Sequence, residues 1–235
     1  MHMTKRFFLV VAAITGVGIA PLIAQNTTVK TVPLSADINV DSVRTLADGN
    51  TIRQDRTMKF YRRADGSTRV EEPNRVVIVD NSSHTVTVLD TIGKVAQVQH
   101  VPPKSANGRV PAASLFKPGA TETNLSAGSK SSGTDLGVKM IAGYRVHGVE
   151  RSTVIAANST LGNTAPLTKT IQVWRSSDLR LPLLTVISDP VGGTIKSQYE
   201  NISTTNPPDD SLFTVPSDYK TVPAPQSRII SSHTN

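Results

Sequence analysis

The chain reads as a mostly β protein: a single curved antiparallel sheet, a half-barrel-like meander, with a long flexible central loop and few or no helices. Three observations predict this. Apolar and polar residues alternate with period two in successive runs. The runs are joined by short connections built from turn residues such as Asp48-Gly49-Asn50, Ala64-Asp65-Gly66-Ser67 and Asn81-Ser82-Ser83-His84. Val and Thr dominate the runs, and no segment keeps apolar residues at the i, i+3, i+4, i+7 spacing of a packed helix.

Residues 38–47 and 51–63 form the first predicted hairpin. In the second run Ile52, Met58 and Phe60 share one parity, and Thr51, Arg53, Asp55, Thr57 and Lys59 share the other, so one face is predicted to be core and the other wet. Thr68 to Glu72, RVVIVD (75–80), TVTVLD (85–90) and VAQVQHV (95–101) continue the meander. The pattern breaks at 102–135, which is rich in Pro, Gly, Ser, Ala and Thr, with Leu115-Phe116 as its sizeable apolar pair. Such a stretch buries too little apolar surface to offset its ordering entropy, so a flexible excursion is expected. Leu115-Phe116 either pins it locally or gates a groove.

Strands resume with 136–157, which reads as two strands around Gly143 or Gly148. The polar loop 158–166 follows, then 168–178, 181–189 and 194–203, with turns at Asp178-Leu179 and Asp189-Pro190-Val191-Gly192-Gly193. Residues 207–220 are expected to plug Leu212 and Phe213 into the sheet, and 221–235 to form a disordered tail.

The N-terminus carries a different signal. Residues 1–24 combine Lys5 and Arg6 with an apolar run from Phe7 to Ala20 and the helix breaker Pro21. This is the layout of a secretory signal peptide, with cleavage expected between Ala24 and Gln25. The run is shorter than the ~20 residues a membrane-spanning helix needs, so no stable span is expected after cleavage. The chain has no cysteine, which excludes disulfides, thiolate metal sites and lipidation at the new N-terminus, and suits a bacterial periplasm. The layout is thus a signal peptide (1–24), an extended segment (25–37), one β domain (38–220) and the tail.

Hydrophobic residues make up 37% of the chain, so the core must be modest. The formal charge of +7 is spread out, and the basic stretch Arg53 to Arg75 is interleaved with Asp55, Asp65, Glu71 and Glu72. Aromatics are only 4%, so a nucleic-acid surface with stacking side chains is not expected.

Enzymatic chemistry needs a converging constellation. His84, His100, His147 and His233 are scattered and make no metal-binding spacing. Glu71 and Glu72 are strand neighbours and point to opposite faces, so they cannot serve one glycosidic bond. Asp209-Asp210 fits a cap for the turn at Ser211-Leu212. No cofactor is implied. Trp174 either packs in the core or rim, or stacks on a sugar or an acyl chain.

The order Trp174-x-Ser176, Leu181-Pro182, Gly192-Gly193, Tyr199-x-Asn201-Ile202, then Asp210-Ser211-Leu212-Phe213-x-Val215-Pro216-x-x-Tyr219 resembles the C-terminal half of LolA-like proteins. That superfamily includes periplasmic lipoprotein carriers and related stress-signal sensors. The front half, Leu46-Ala47-Asp48-Gly49-Asn50 through Tyr61-Arg62-Arg63-x-Asp65-Gly66-x-x-Arg69-x-Glu71, resembles uncharacterised bacterial exported proteins with the same C-terminal pattern. The resemblance implies a strongly curved half-barrel whose concave side holds an acyl chain in the carriers. The carriers cover that side with amphipathic helices, and no segment here has the apolar spacing of one.

Two functional readings stand. In the first, a periplasmic binding protein holds a lipid-like or other apolar ligand in the curve of the sheet, with Met58 and Trp174 as candidate contacts and a lipid or lipoprotein as partner. In the second, an exported module uses strand edges or loops to bind an envelope protein or polymer. An enzyme is a distant third.

Overall fold

The computed structural model describes residues 31–101, 130–159 and 161–223. The expected signal peptide with its Ala24–Gln25 junction, residues 102–129 of the central stretch including Leu115-Phe116, and residues 224–235 lie outside the described residues.

The hairpin turns read from the sequence separate β1 (Leu34–Thr45), β2 (Thr51–Arg62), β3 (Thr68–Glu72), β4 (Arg75–Asp80), β5 (Thr85–Asp90) and β6 (Val95–His100). The second run holds β7 (Lys130–Ile141), β8 (Tyr144–Ile155), β9 (Leu167–Ser176), β10 (Leu181–Asp189) and β11 (Gly193–Ser203). A one-turn 3-10 helix at Asp210–Phe213 and β12 (Lys220–Pro223) follow. All twelve strands form one open curved sheet in the order β12-β6-β5-β4-β3-β2-β1-β11-β10-β9-β8-β7.

Three boundaries differ from expectation. β1 starts at Leu34, inside the stretch read as the extended segment 25–37. β7 starts at Lys130, inside the stretch read as loop 102–135. Its first half is polar because it is an edge strand whose ladder to β8 rests on backbone hydrogen bonds. At the other edge, Lys220–Pro223 pair in parallel with Val95–Val98, so the tail expected from 221 begins as a strand.

The central ladder is β2-β1-β11, which ties the two runs together. Ile38 faces Met58 on β2 and Tyr199 on β11, so these three share one face of the sheet. Phe60 and Arg62 follow the same parity. Arg62 is buried and donates from Nη1 to the Leu179 carbonyl at 2.8 Å and from Nη2 to the Val32 carbonyl at 2.6 Å. Leu179 lies in the turn between β9 and β10, and β2 and β10 are three inter-strand steps apart, about 14 Å in a flat sheet. That hydrogen bond closes only because the sheet curls toward the Ile38 face at this end.

The main core fills the curl: Leu34, Ala36, Ile38, Val40, Met58, Phe60 and Val70 pack with Leu179 and Leu183. β10 stops pairing with β11 at Leu184–Gln198 but continues with β9 to Leu181–Ser176, with a bulge at Leu183. The freed corner turns in, which brings Leu179 and Leu183 to 2% and 0% exposure.

A second core lies on the opposite face of β3–β6, where Val76, Ile78, Leu89 and Ala96 pack under Phe213, with Leu212, Val215 and Tyr219 beside it. The plug expected from the sequence is therefore present. Asp209 accepts from the Ser211 N–H at 2.8 Å and caps the 3-10 turn. Arg69 donates to the Leu212 carbonyl at 2.6 Å, and the Arg63 guanidinium lies 4.7 Å from the Phe213 ring centroid.

Candidate ligand-binding face

Beyond the closed end, the β1–β2, β10–β11 and β8–β9 hairpins run on with no second layer among the described residues. β2 pairs with β3 only from Lys59 to Arg62, so Thr51–Thr57 are exposed on both faces. Ile52, expected on the core face with Met58 and Phe60, is accordingly 46% exposed.

Here the ladder register defines rows of side chains that cross the sheet on the Ile38 face. One row reads Gln54–Ser42–Ile195–Ile187–Ile171–Arg151, from β2 through β1, β11, β10 and β9 to β8. The row nearer the core reads Arg56–Val40–Ser197–Thr185–Val173–Val149. The three isoleucines and Val173 are half-buried by one another, Val40 is buried, and Val149 is 44% exposed. The result is a contiguous apolar band across five strands, on the face toward which the sheet curls.

The other face of the same strands carries more polar groups, many paired with one another, beside the apolar Leu184, Val186 and Trp174. Asn39 donates to Glu200 at 2.7 Å, Thr57 to Asn39 at 2.7 Å and Gln172 to Glu150 at 2.8 Å. Lys59 binds Asp37 at 2.6 Å and Asn201 binds it at 2.7 Å, and these bonds hold the Asp37 carboxyl below the usual carboxylate range. The contrast between faces is what a sheet shows when one side is meant for water and the other for apolar contact.

At the core end of the band stands Tyr199, edge-on to Phe60 with ring centroids 5.2 Å apart. Burial pushes its phenol well above the ordinary tyrosine value, so it stays neutral across the physiological range. At the distal end Lys169 and Asp189 pair at 3.1 Å. Burial pushes the Asp189 carboxyl up, but the N–H groups of Val191 and Gly192 and the Lys169 ammonium outweigh it and hold the group below its usual range.

The two residues singled out as ligand contacts fall differently. Met58 is 3% exposed, on the curled-in face and next to the apolar band. Trp174 is 8% exposed and follows Leu184, Gln198 and Asn39 in the ladder, so it projects from the opposite face. It packs against Gly148, with Lys139 Nζ 3.7 Å from the ring centroid. The isoleucine row was visible in the sequence only as three separate alternating runs, because the ladder that aligns them joins β9, β10 and β11.

Other polar groupings are smaller. His147 meets Asp135 at 3.0 Å on exposed backbone of β7 and β8, while His84 and His100 stand apart and exposed. A shallow open cleft of ≈ 450 Å³ beside Arg63 is lined by Asp65, Ser82, Pro208 and Asp210. Its carboxylate Asp65 is used up by Ser67, Ser82 and Arg63, which brace the β2–β3 turn. Among the described residues no group of His, Asp and Glu is placed to hold a metal, and no helix is long and apolar enough to cross a membrane.

No protein-family model matches the sequence, and no curated protein matches it. Solved structures do. MucB covers 81% of this chain at 13% identity with a TM-score of 0.40, and the Pseudomonas aeruginosa MucA/MucB complex gives 81%, 13% and 0.39. A DUF1329 family protein from Desulfovibrio piger covers 80% at 8% identity with a TM-score of 0.35. The Mycobacterium tuberculosis lipoprotein LppX covers 70% at 17% identity with a TM-score of 0.28. The alignments take in 60% and 58% of the two MucB chains, 91% of the DUF1329 protein and 84% of LppX, so this chain spans less than two thirds of MucB. At such identities and TM-scores the likeness is one of sheet layout alone.

Proposed function

We propose that this is an exported, non-enzymatic binding protein that holds a lipid-like apolar ligand against the curled-in face of its sheet. The observation that carries the reading is the Ile195–Ile187–Ile171 row, a half-buried apolar band on the face toward which the sheet curls. Apolar area left in water costs about 25 cal/mol per Å², so a band of this extent favours an apolar partner. The signal peptide at 1–24, cleaved after Ala24, would deliver the chain to the periplasm, where lipids and lipoproteins are the apolar cargo at hand.

Native mass spectrometry of the full-length product purified from its own envelope tests this. A co-purifying lipid, lost in an Ile187→Lys variant that retains the wild-type circular dichroism spectrum, is the expected result. Lipid-free protein from the envelope, together with no uptake of lysophosphatidylcholine in vitro, would overturn it.

A second reading has one specific observation in its favour. β7 is a twelve-residue edge strand with Val138 and Met140 exposed by 50% and 63%. Such an edge is a template for a strand from a partner protein, the mode in which an envelope interaction module would work. A stoichiometric protein captured without lipid in the same experiment is the outcome that favours it.

A further inference from the structure

Around the apolar band the inner face carries Arg44 and Arg56 on β1 and β2 and Arg151 on β8, together with the Lys169–Asp189 pair. On β1 and β2, Asp41 and Asp55 sit directly opposite each other on the outer face, beside Lys196. Arg44 and Arg56 have the other parity and stand on the inner face. Both are exposed, and neither makes an ion pair among the described residues. The inner-face carboxylates elsewhere are engaged, Asp189 with Lys169 and Asp135 with His147.

The position of the two arginines relative to the isoleucines is specific. The isoleucine row ends at Ser42 and Gln54 on the β1–β2 side, where two arginines flank it, and at the single Arg151 on β8. Arg56 lies one row to the core side of Ser42 and Gln54 and Arg44 one row to the distal side. Rows on one face are about 7 Å apart, a step that an extended arginine side chain covers. Both guanidinium groups can therefore meet over Gln54 and Ser42, with amide and hydroxyl donors beneath them. From Ser42 the row then offers about 14 Å of apolar surface to Ile171. One end binds an anion with charge-assisted, forked hydrogen bonds, and the rest binds hydrocarbon.

We infer that the band selects an anionic lipid: a phosphate headgroup bearing net negative charge between Arg44 and Arg56, with its acyl chain along Ile195, Ile187 and Ile171. This rests on the apolar-ligand reading above and adds the headgroup specificity and the residues that set it. The bound orientation follows, with the headgroup at the β1–β2 side of the sheet and the chain running toward β9.

The test uses the full chain with lysophosphatidylglycerol and lysophosphatidylcholine of one acyl length, both below their micelle concentrations, by titration calorimetry. The expected result is that the anionic lipid binds about tenfold tighter at low salt. That preference should collapse in the Arg44→Gln/Arg56→Gln double variant, the larger loss of affinity falling on the anionic lipid. Equal affinity for the two lipids in the wild type, or a preference that survives the double variant, would overturn the headgroup assignment and leave the apolar-ligand reading standing. Binding of neither lipid to the wild type would remove both. Inorganic phosphate alone is expected not to bind measurably, since the arginines are exposed and the chain contributes the larger share. Tight phosphate binding would instead mark a free-anion site and overturn the lipid assignment.

Discussion

Gly148 shows what a single position decides in this sheet. An added Cβ would stand 2.6–2.7 Å from three ring atoms of Trp174, closer than carbon atoms approach. The Lys139 ammonium lies 3.7 Å from the ring centroid, so a shift of the ring also disturbs that contact. Gly148→Ala is expected to lower stability by about 1–3 kcal/mol, the usual cost of overpacking. Thermal melting measures the loss. Because Trp174 is the one tryptophan in the chain, its fluorescence reports the displacement directly, and an unshifted emission maximum would contradict the account. The sequence identified Trp174 as a strand residue and offered packing against ligand contact. It could not show which face Trp174 occupies, because parity along one strand fixes faces only relative to its neighbours. The Asn39–Gln198–Leu184–Trp174 row supplies that link, and it crosses residues more than a hundred positions apart. Met58 was easier, since its hairpin partner Ile38 lies just across a turn that the sequence announces.

Among the elements, the segment from Asp209 to Tyr219 was the most legible and is the most testable. A capping aspartate, two adjacent apolar residues and flanking prolines read as a plug, and Phe213 is indeed 5% exposed over β4, β5 and β6. β4 explains the need for it. Val76, Val77 and Ile78 are consecutive and all buried, so both faces of that strand are covered. Phe213→Ala should cost about 3–5 kcal/mol, the range for deleting a buried aromatic ring, and expose apolar sheet to dyes that report it. Urea denaturation gives the number, and a loss under 1 kcal/mol would mean that the plug is peripheral. The less legible elements fail for identifiable reasons. β12 is four residues long and pairs in parallel, so no hairpin signal precedes it. β7 begins with Lys130-Ser131-Ser132-Gly133, a composition shared with the loop before it, and its strand character comes from the β8 ladder. Alternation alone put Ile52 in the core, but burial there depends on how far β3 extends, which is a property of the neighbouring strand.

For the molecule as a whole, chain order and spatial order disagree in a way that makes the sheet a single cooperative unit. The interval from β6 to β7 separates two runs of strands, and each run taken alone contains only hairpins. Yet β1 pairs with β11 over eight residue pairs from Ser35–Ser203 to Val43–Thr194, and the plug after β11 returns to cover β3–β6. The Arg62–Leu179 hydrogen bond adds a third tie between the runs. A chain cut between β6 and β7 therefore leaves the first fragment without its outer cover and without a partner for β1. The second fragment keeps a ladder whose apolar band lacks its β1 border, and its plug residues Leu212 and Phe213 have nothing to enter. Fragments 25–115 and 116–235 are each expected to show no cooperative thermal transition alone. Mixed at equal concentration, they should recover the native circular dichroism spectrum and a single melting transition that rises with concentration, because association and folding are then one event. A sharp melt for 116–235 by itself would mean that β7–β11 is an independent domain. The headgroup site is subject to the same division, since Arg44 and Arg56 reside in one fragment and the isoleucine row in the other. Discrimination between anionic and zwitterionic lipid should accordingly appear only in the reconstituted pair.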